Sequence, residues 1–97
     1  MIKVVRKDNI ITISGHANSA EYGKDIVCAS VSSIIYTTIN ALKKIKESSI
    51  DVEDNSSKMI IKLLVEDEIT KCLTENMMEL LKSIEEDYPK NLSVKES

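Results

Sequence analysis

The only histidine of this chain, His16, lies twelve positions before Cys28, one of its two cysteines. A thiol and an imidazole that meet are the minimum equipment for nucleophilic catalysis by sulfur. The imidazole takes the thiol proton, the thiolate attacks a carbonyl carbon, and the imidazolium can protonate a leaving amine. His16 stands in Gly15-His16-Ala17, at the end of an apolar, strand-like run. Cys28 follows Gly23-Lys24-Asp25-Ile26-Val27 at the start of a long helix-like one. The spacing alone also suits plainer roles, a small core residue for the thiol and a surface or capping group for the imidazole.

The residues around the pair can be given parts in such chemistry. Asp25 reads as the N-cap of the helix, its carboxylate accepting from orphan amides of the first turn. Cys28 would then be the third helical residue, near those amides and the positive end of the helix dipole, a place that favours thiolate. Amides at the same helix start could hold an oxyanion. Asp25 could also position His16, although the cap role already accounts for it. Gly15 and Gly23 flank a small, polar stretch over 17–24 and resemble hinges of a flap over the site. Tyr22 in that stretch could grip a substrate or simply be exposed. Ser32, one turn beyond Cys28, could orient the thiolate or a substrate, or bond back to its own helix. Cys72 reads as a packed thiol of a second helix, and a redox pairing with Cys28 would require a proximity that spacing does not establish. One histidine and two distant cysteines give no metal-ligand set, so neither metal nor other cofactor is expected.

Two rigid elements must bring these groups together. Residues 2–6 and 10–14, rich in Ile and Val and separated by Lys7-Asp8-Asn9, predict a hairpin. After the 17–24 loop, Val27, Val31, Ile34, Ile35, Thr38, Leu42 and Ile45 recur at helical spacing up to about Lys46. Many of these are β-branched, so the helix must be stabilised by packing rather than propensity. Ile50-Asp51-Val52-Glu53 alternates as an edge strand, 54–57 supplies turn residues, and 59–65 suits a more buried strand. Acidic residues at 66–68 favour a helix N-terminus. Ile69, Leu73, Met77, Leu80, Leu81, Ile84 and Tyr88 continue with helical period until Pro89. Leu92 and Val94 suit a short last strand. The order ββαββα predicts an α+β two-layer sandwich, an antiparallel or mixed sheet of four to five strands with two helices on one face. Because 59–65 is apolar on both sides, a second copy of the chain is expected to cover the outer face.

With 97 residues the chain is expected to be one domain, 1–97. The core must be aliphatic, since Trp and Phe are absent. No uncharged apolar run approaches the roughly 20 residues that span a bilayer, and the N-terminus has no secretory-signal pattern, so neither a membrane nor export is expected. Two cysteines are too few for a disulfide scaffold and suit a reducing cytoplasm. The net charge is −3, the basic residues are scattered, and only three tyrosines are present, a poor composition for direct binding of nucleic acid. The cluster Lys43, Lys44 and Lys46 is explained by the helix dipole near the end of the first helix.

The string Gly15-His16-Ala17, then Gly23, then Asp25-Ile26-Val27-Cys28-Ala29-Ser30-Val31-Ser32, resembles the signature of the ribosomal-processing cysteine proteases (Prp), and the match of length and element order extends over essentially the whole chain. Ser30 departs from it, where that family more often has a second alanine. The resemblance implies a catalytic dyad of His16 and Cys28, flexibility at Gly15, and support of the site by Asp25 and Ser32. It also implies a dimeric, cytoplasmic endopeptidase that removes the short N-terminal extension of a bacterial large-subunit ribosomal protein (bL27), cutting after an aromatic residue. The competing reading is a non-catalytic ribosome-assembly or peptide-binding module that uses the same loop without turnover.

Overall fold

The structure, a computed structural model, describes residues 1–15, 22–55 and 58–97, with the backbone alone for 22–25. Its elements are β1 (Ile2–Lys7), β2 (Ile10–Ser14), α1 (Tyr22–Ile45), a single 3-10 turn (Glu47–Ser49), β3 (Ile50–Asp54), β4 (Lys58–Leu63), α2 (Glu68–Asp87) and β5 (Leu92–Glu96). The five strands form one mixed sheet in the order β3-β4-β2-β1-β5. Only the β1–β5 pair is parallel; the others are antiparallel. The expected α+β sandwich of sheet and two helices is therefore the observed one.

Strand alternation decides which face is covered. Ile2 and Val4 of β1, Ile11 of β2, Met59, Ile61 and Leu63 of β4, Ile50 of β3, and Leu92 and Val94 of β5 all point to one side and are buried. The β1–β2 hairpin closes through Asp8-Asn9, with Asp8 at φ 55, a left-handed conformation that aspartate tolerates better than most residues. On the helical side, Val27, Val31, Ile35, Ile39 and Leu42 of α1 complete the core. By length and composition alone, Ile26–Ile45 would suffice to cross a membrane; here one apolar face of that helix is spent on the core.

α2 begins where its acidic run suggests: Asp67 is the N-cap, its Oδ1 accepting from the Thr70 amide at 2.8 Å. It stops at Asp87, and Tyr88 caps the end through its amide to the Ile84 carbonyl at 2.9 Å, immediately before Pro89. Its buried face differs from expectation. Thr70, Thr74, Met77, Met78 and Leu81 face inward, whereas Ile69 and Leu80 are exposed. Thr74 can lie inward because its Oγ1 donates to the Thr70 carbonyl at 2.7 Å, and among the described residues no buried side-chain oxygen lacks a partner. Cys72, expected as a packed thiol, is on the exposed side.

Candidate active site

Cys28 is half-buried against the aliphatic core and lines a cleft of about 110 Å³ between α1 and the sheet. Val31, Ile35, Ile2, Ile13 and Met59 form its apolar floor. Ser32, an expected supporting residue, lines it one helical turn beyond Cys28. Gly15 lines it from the end of β2. Gly15 adopts φ +86, a conformation that side-chain-bearing residues rarely enter, and a Cβ there would collide with the Met1 carbonyl oxygen. Its lack of a side chain is thus explained by a strained turn and a close backbone approach.

The helix start differs from expectation. α1 begins at Tyr22, three residues before Asp25, so Asp25 is not the N-cap and Cys28 is the seventh helical residue rather than the third. The four amides left without intrahelical acceptors are those at the start of the helix, and Tyr22 lies about 9 Å along the axis from Cys28. Dipole effects fall off within the first turn. The helix end is therefore not what would activate this thiol, and the amide of Cys28 is inside the helical ladder rather than free for an oxyanion. Tyr22, Gly23 and Lys24 belong to the helix instead of a loop, so Gly23 is not a hinge. His16 and the remainder of the anticipated flap, 17–21, lie outside the described residues, as do the side chains of Tyr22 and Asp25.

The opposite wall was not anticipated from the sequence. Asp54 at the end of β3, Asn55, and Lys58 at the start of β4 line the cleft across from Tyr36 of α1. The Tyr36 hydroxyl donates to Asp54 Oδ2 at 3.0 Å, and this bond, more than burial or charge, holds the phenol above its ordinary pKa. The Lys58 amide donates to Asn55 Oδ1 at 3.0 Å. Tyr36 could have been found: it is eight residues after Cys28, and four after Ser32, on one helical stripe. Asp54 and Lys58 reach the site only through strand pairing, which leaves no local signal. Among the described residues, no group of three or more His, Cys, Asp or Glu is placed to hold a metal ion.

Comparison with known proteins gives this cleft a context. The family model for cysteine protease Prp matches residues 1–93. A ribosomal processing cysteine protease Prp from Mycoplasma pneumoniae is 34% identical over 95 residues, covering 96% of this chain and 92% of that protein. One from Bacillus subtilis is 32% identical over 89 residues, covering 84% of this chain and 80% of the other. Among solved structures, the Staphylococcus aureus ribosomal processing protease Prp with a covalently linked product peptide superposes with a TM-score of 0.86 at 27% identity, over 100% of both chains. Nearly the whole length and the overall fold thus agree with one kind of enzyme, and the chain belongs to the cysteine protease Prp family.

Proposed function

We propose that this cysteine protease removes the short N-terminal extension of the ribosomal protein bL27, with Cys28 as nucleophile and His16 as general base and acid. One observation carries the reading most: Cys28 and Gly15, the covalent neighbour of His16, line the same apolar cleft. The similar S. aureus protease was solved with a covalently linked product peptide, which fits an enzyme whose nucleophile lines an apolar cleft. His16 takes the thiol proton, and the Cys28 sulfur bonds to the scissile carbonyl carbon. Collapse of the tetrahedral adduct breaks the C–N bond, and His16 protonates the departing amine. Water, deprotonated by His16, then breaks the C–S bond and releases the new carboxylate. Gly15 supports the site by allowing the backbone approach to Met1. Ser32 borders the path of the substrate, and Tyr22, Gly23 and Asp25 support the turn of α1 that precedes the nucleophile.

The test is cleavage of a peptide that spans the extension and its junction. Cys28→Ala and His16→Ala should each abolish it, and retained cutting by either variant would remove the dyad. Thiol labelling adds a second readout. Cys72 is the more exposed thiol, so faster alkylation of Cys28 below pH 8 would report activation rather than access. Since the helix end lies too far away to supply it, the advantage should vanish in His16→Ala.

The assembly is proposed to be a homodimer. The helices cover one face of the sheet only, while on the other Val5 is 42% and Ile10 45% exposed, with half-buried Ile60 beside them. Lysines 3, 7 and 95 border this patch, and Asp51 on the same face offers them an opposite charge in a second copy, while Lys62 and Glu53 pair within the chain at 3.6 Å. A monomer mass by light scattering at micromolar concentration would refute this. Free thiols at Cys28 and Cys72 suit a cytoplasmic enzyme, and the proposed substrate is a peptide rather than nucleic acid or membrane.

A further inference from the structure

We propose that the Tyr36–Asp54 hydrogen bond is the end wall of the side-chain pocket beside Cys28 and sets the largest side chain this protease accepts there. The inference rests on the reading of Cys28 as nucleophile. Cys28, Ser32 and Tyr36 are spaced by four, so they form one stripe of α1 that borders the cleft. Tyr36 is about 12 Å farther along the axis than Cys28, and a helical aromatic side chain leans back toward the N-terminus, over the pocket. Across from it stands the end of β3. The 3.0 Å bond from the Tyr36 hydroxyl to Asp54 joins helix wall to sheet wall at the far end of the floor made by Val31, Ile35 and Met59. In a void of about 110 Å³ such a bridge decides how deep a guest can reach. The floor selects an apolar body; the bridge limits its length. Both partners are on the surface, so the bond can be lost without opening the core beneath it.

The experiment compares kcat/KM for peptides carrying Ala, Leu, Phe or Trp in turn on each side of the scissile bond, with folding of each variant verified by circular dichroism. In Tyr36→Ala the Trp-to-Leu ratio should rise about tenfold or more at one of the two positions, the scale on which a pocket discriminates small differences in size. Asp54→Ala should move the ratio the same way, and Asp54→Asn, which keeps an acceptor for the hydroxyl, should stay near the parent. Should Tyr36→Ala fail to fold, Tyr36→Phe removes the hydroxyl alone and should raise the same ratio. Overall rates that fall with unchanged ratios would overturn the end wall and leave the protease reading standing. A ratio shifted equally by Asp54→Asn and Asp54→Ala would overturn the hydrogen bond as its cause. Cutting retained by Cys28→Ala would instead overturn the reading on which the inference rests, whatever the ratios show.

Discussion

The chain has two glycines, and the structure assigns them opposite responses to alanine. At Gly15, φ is +86, where an L-residue costs about 1–2 kcal/mol. The added Cβ would also strike the Met1 carbonyl oxygen and approach Met1 C at 3.2 Å and Ile2 Cα at 3.4 Å, all backbone atoms. That carbonyl cannot swing away freely, because it shares a planar peptide unit with the Ile2 amide, which donates to the Asn91 carbonyl at 2.9 Å and starts the β1–β5 ladder. Relief would cost that hydrogen bond, about 0.5–1.5 kcal/mol, so the total for Gly15→Ala is about 2–3 kcal/mol. For a domain of this size that lowers Tm by about 8–20 °C. Gly23 lies in the first turn of α1, where alanine should raise stability by up to about 1 kcal/mol. Thermal unfolding followed by circular dichroism measures both. A Gly15→Ala protein that melts with the parent, or a Gly23→Ala protein that melts well below it, would refute the argument. Gly15→Asn separates its two parts: asparagine tolerates positive φ but brings the same Cβ, so it should recover only a fraction of the loss.

Leu81 is fully buried and Leu80 is 44% exposed, so Leu81→Ala should cost about 2–5 kcal/mol in urea unfolding while Leu80→Ala costs little; similar losses would put the buried face of α2 in the wrong phase. The bond to Asp54 stabilises the neutral phenol of Tyr36 and raises its folded pKa above the unfolded value, so this contribution is present below about pH 10 and lost as pH rises through the folded pKa. A late phenolate step in an alkaline absorbance titration, removed by Asp54→Ala, is the expected signature. At Asp67 the sign reverses: bonding to Thr70 lowers its folded pKa, so its contribution is present above about pH 4 and lost on acidification through the folded value. Asp67→Ala should accordingly lower Tm at neutral pH and narrow the gap to the parent at the acid end.

Among the described residues, periodicity locates the strands and both helices, because each element buries one face and must repeat on that face. It is weaker at boundaries and at phase. The start of α1 is concealed in the sequence because Asp25 has the chemistry of a cap, and the small and polar residues before it resemble a loop. Helical backbone instead runs back through Gly23 to Tyr22. In α2, hydropathy favoured Ile69 and Leu80 for the core over Thr70 and Met78. A buried threonine is inexpensive when its hydroxyl returns to the preceding turn, as Thr74 does at 2.7 Å, and hydropathy does not register that bond. Cys72 moved outward with the same rotation of the helix.

The cleft shows why an error at a helix boundary need not displace a site. Which side of α1 meets the sheet follows from the phase of Val27, Val31, Ile35, Ile39 and Leu42. That phase is the same wherever the helix begins. Cys28, Ser32 and Tyr36 each follow one member of this stripe by a single residue, so they must border the helix–sheet seam. The other wall arises differently. Asp54 is opposite Met59, and Met59 is opposite Ile13, only because β4 pairs with both β3 and β2 in this register. A one-residue slip would reverse the faces of these side chains. Half of the cleft is therefore written in helical spacing, and the other half exists only once the sheet has formed.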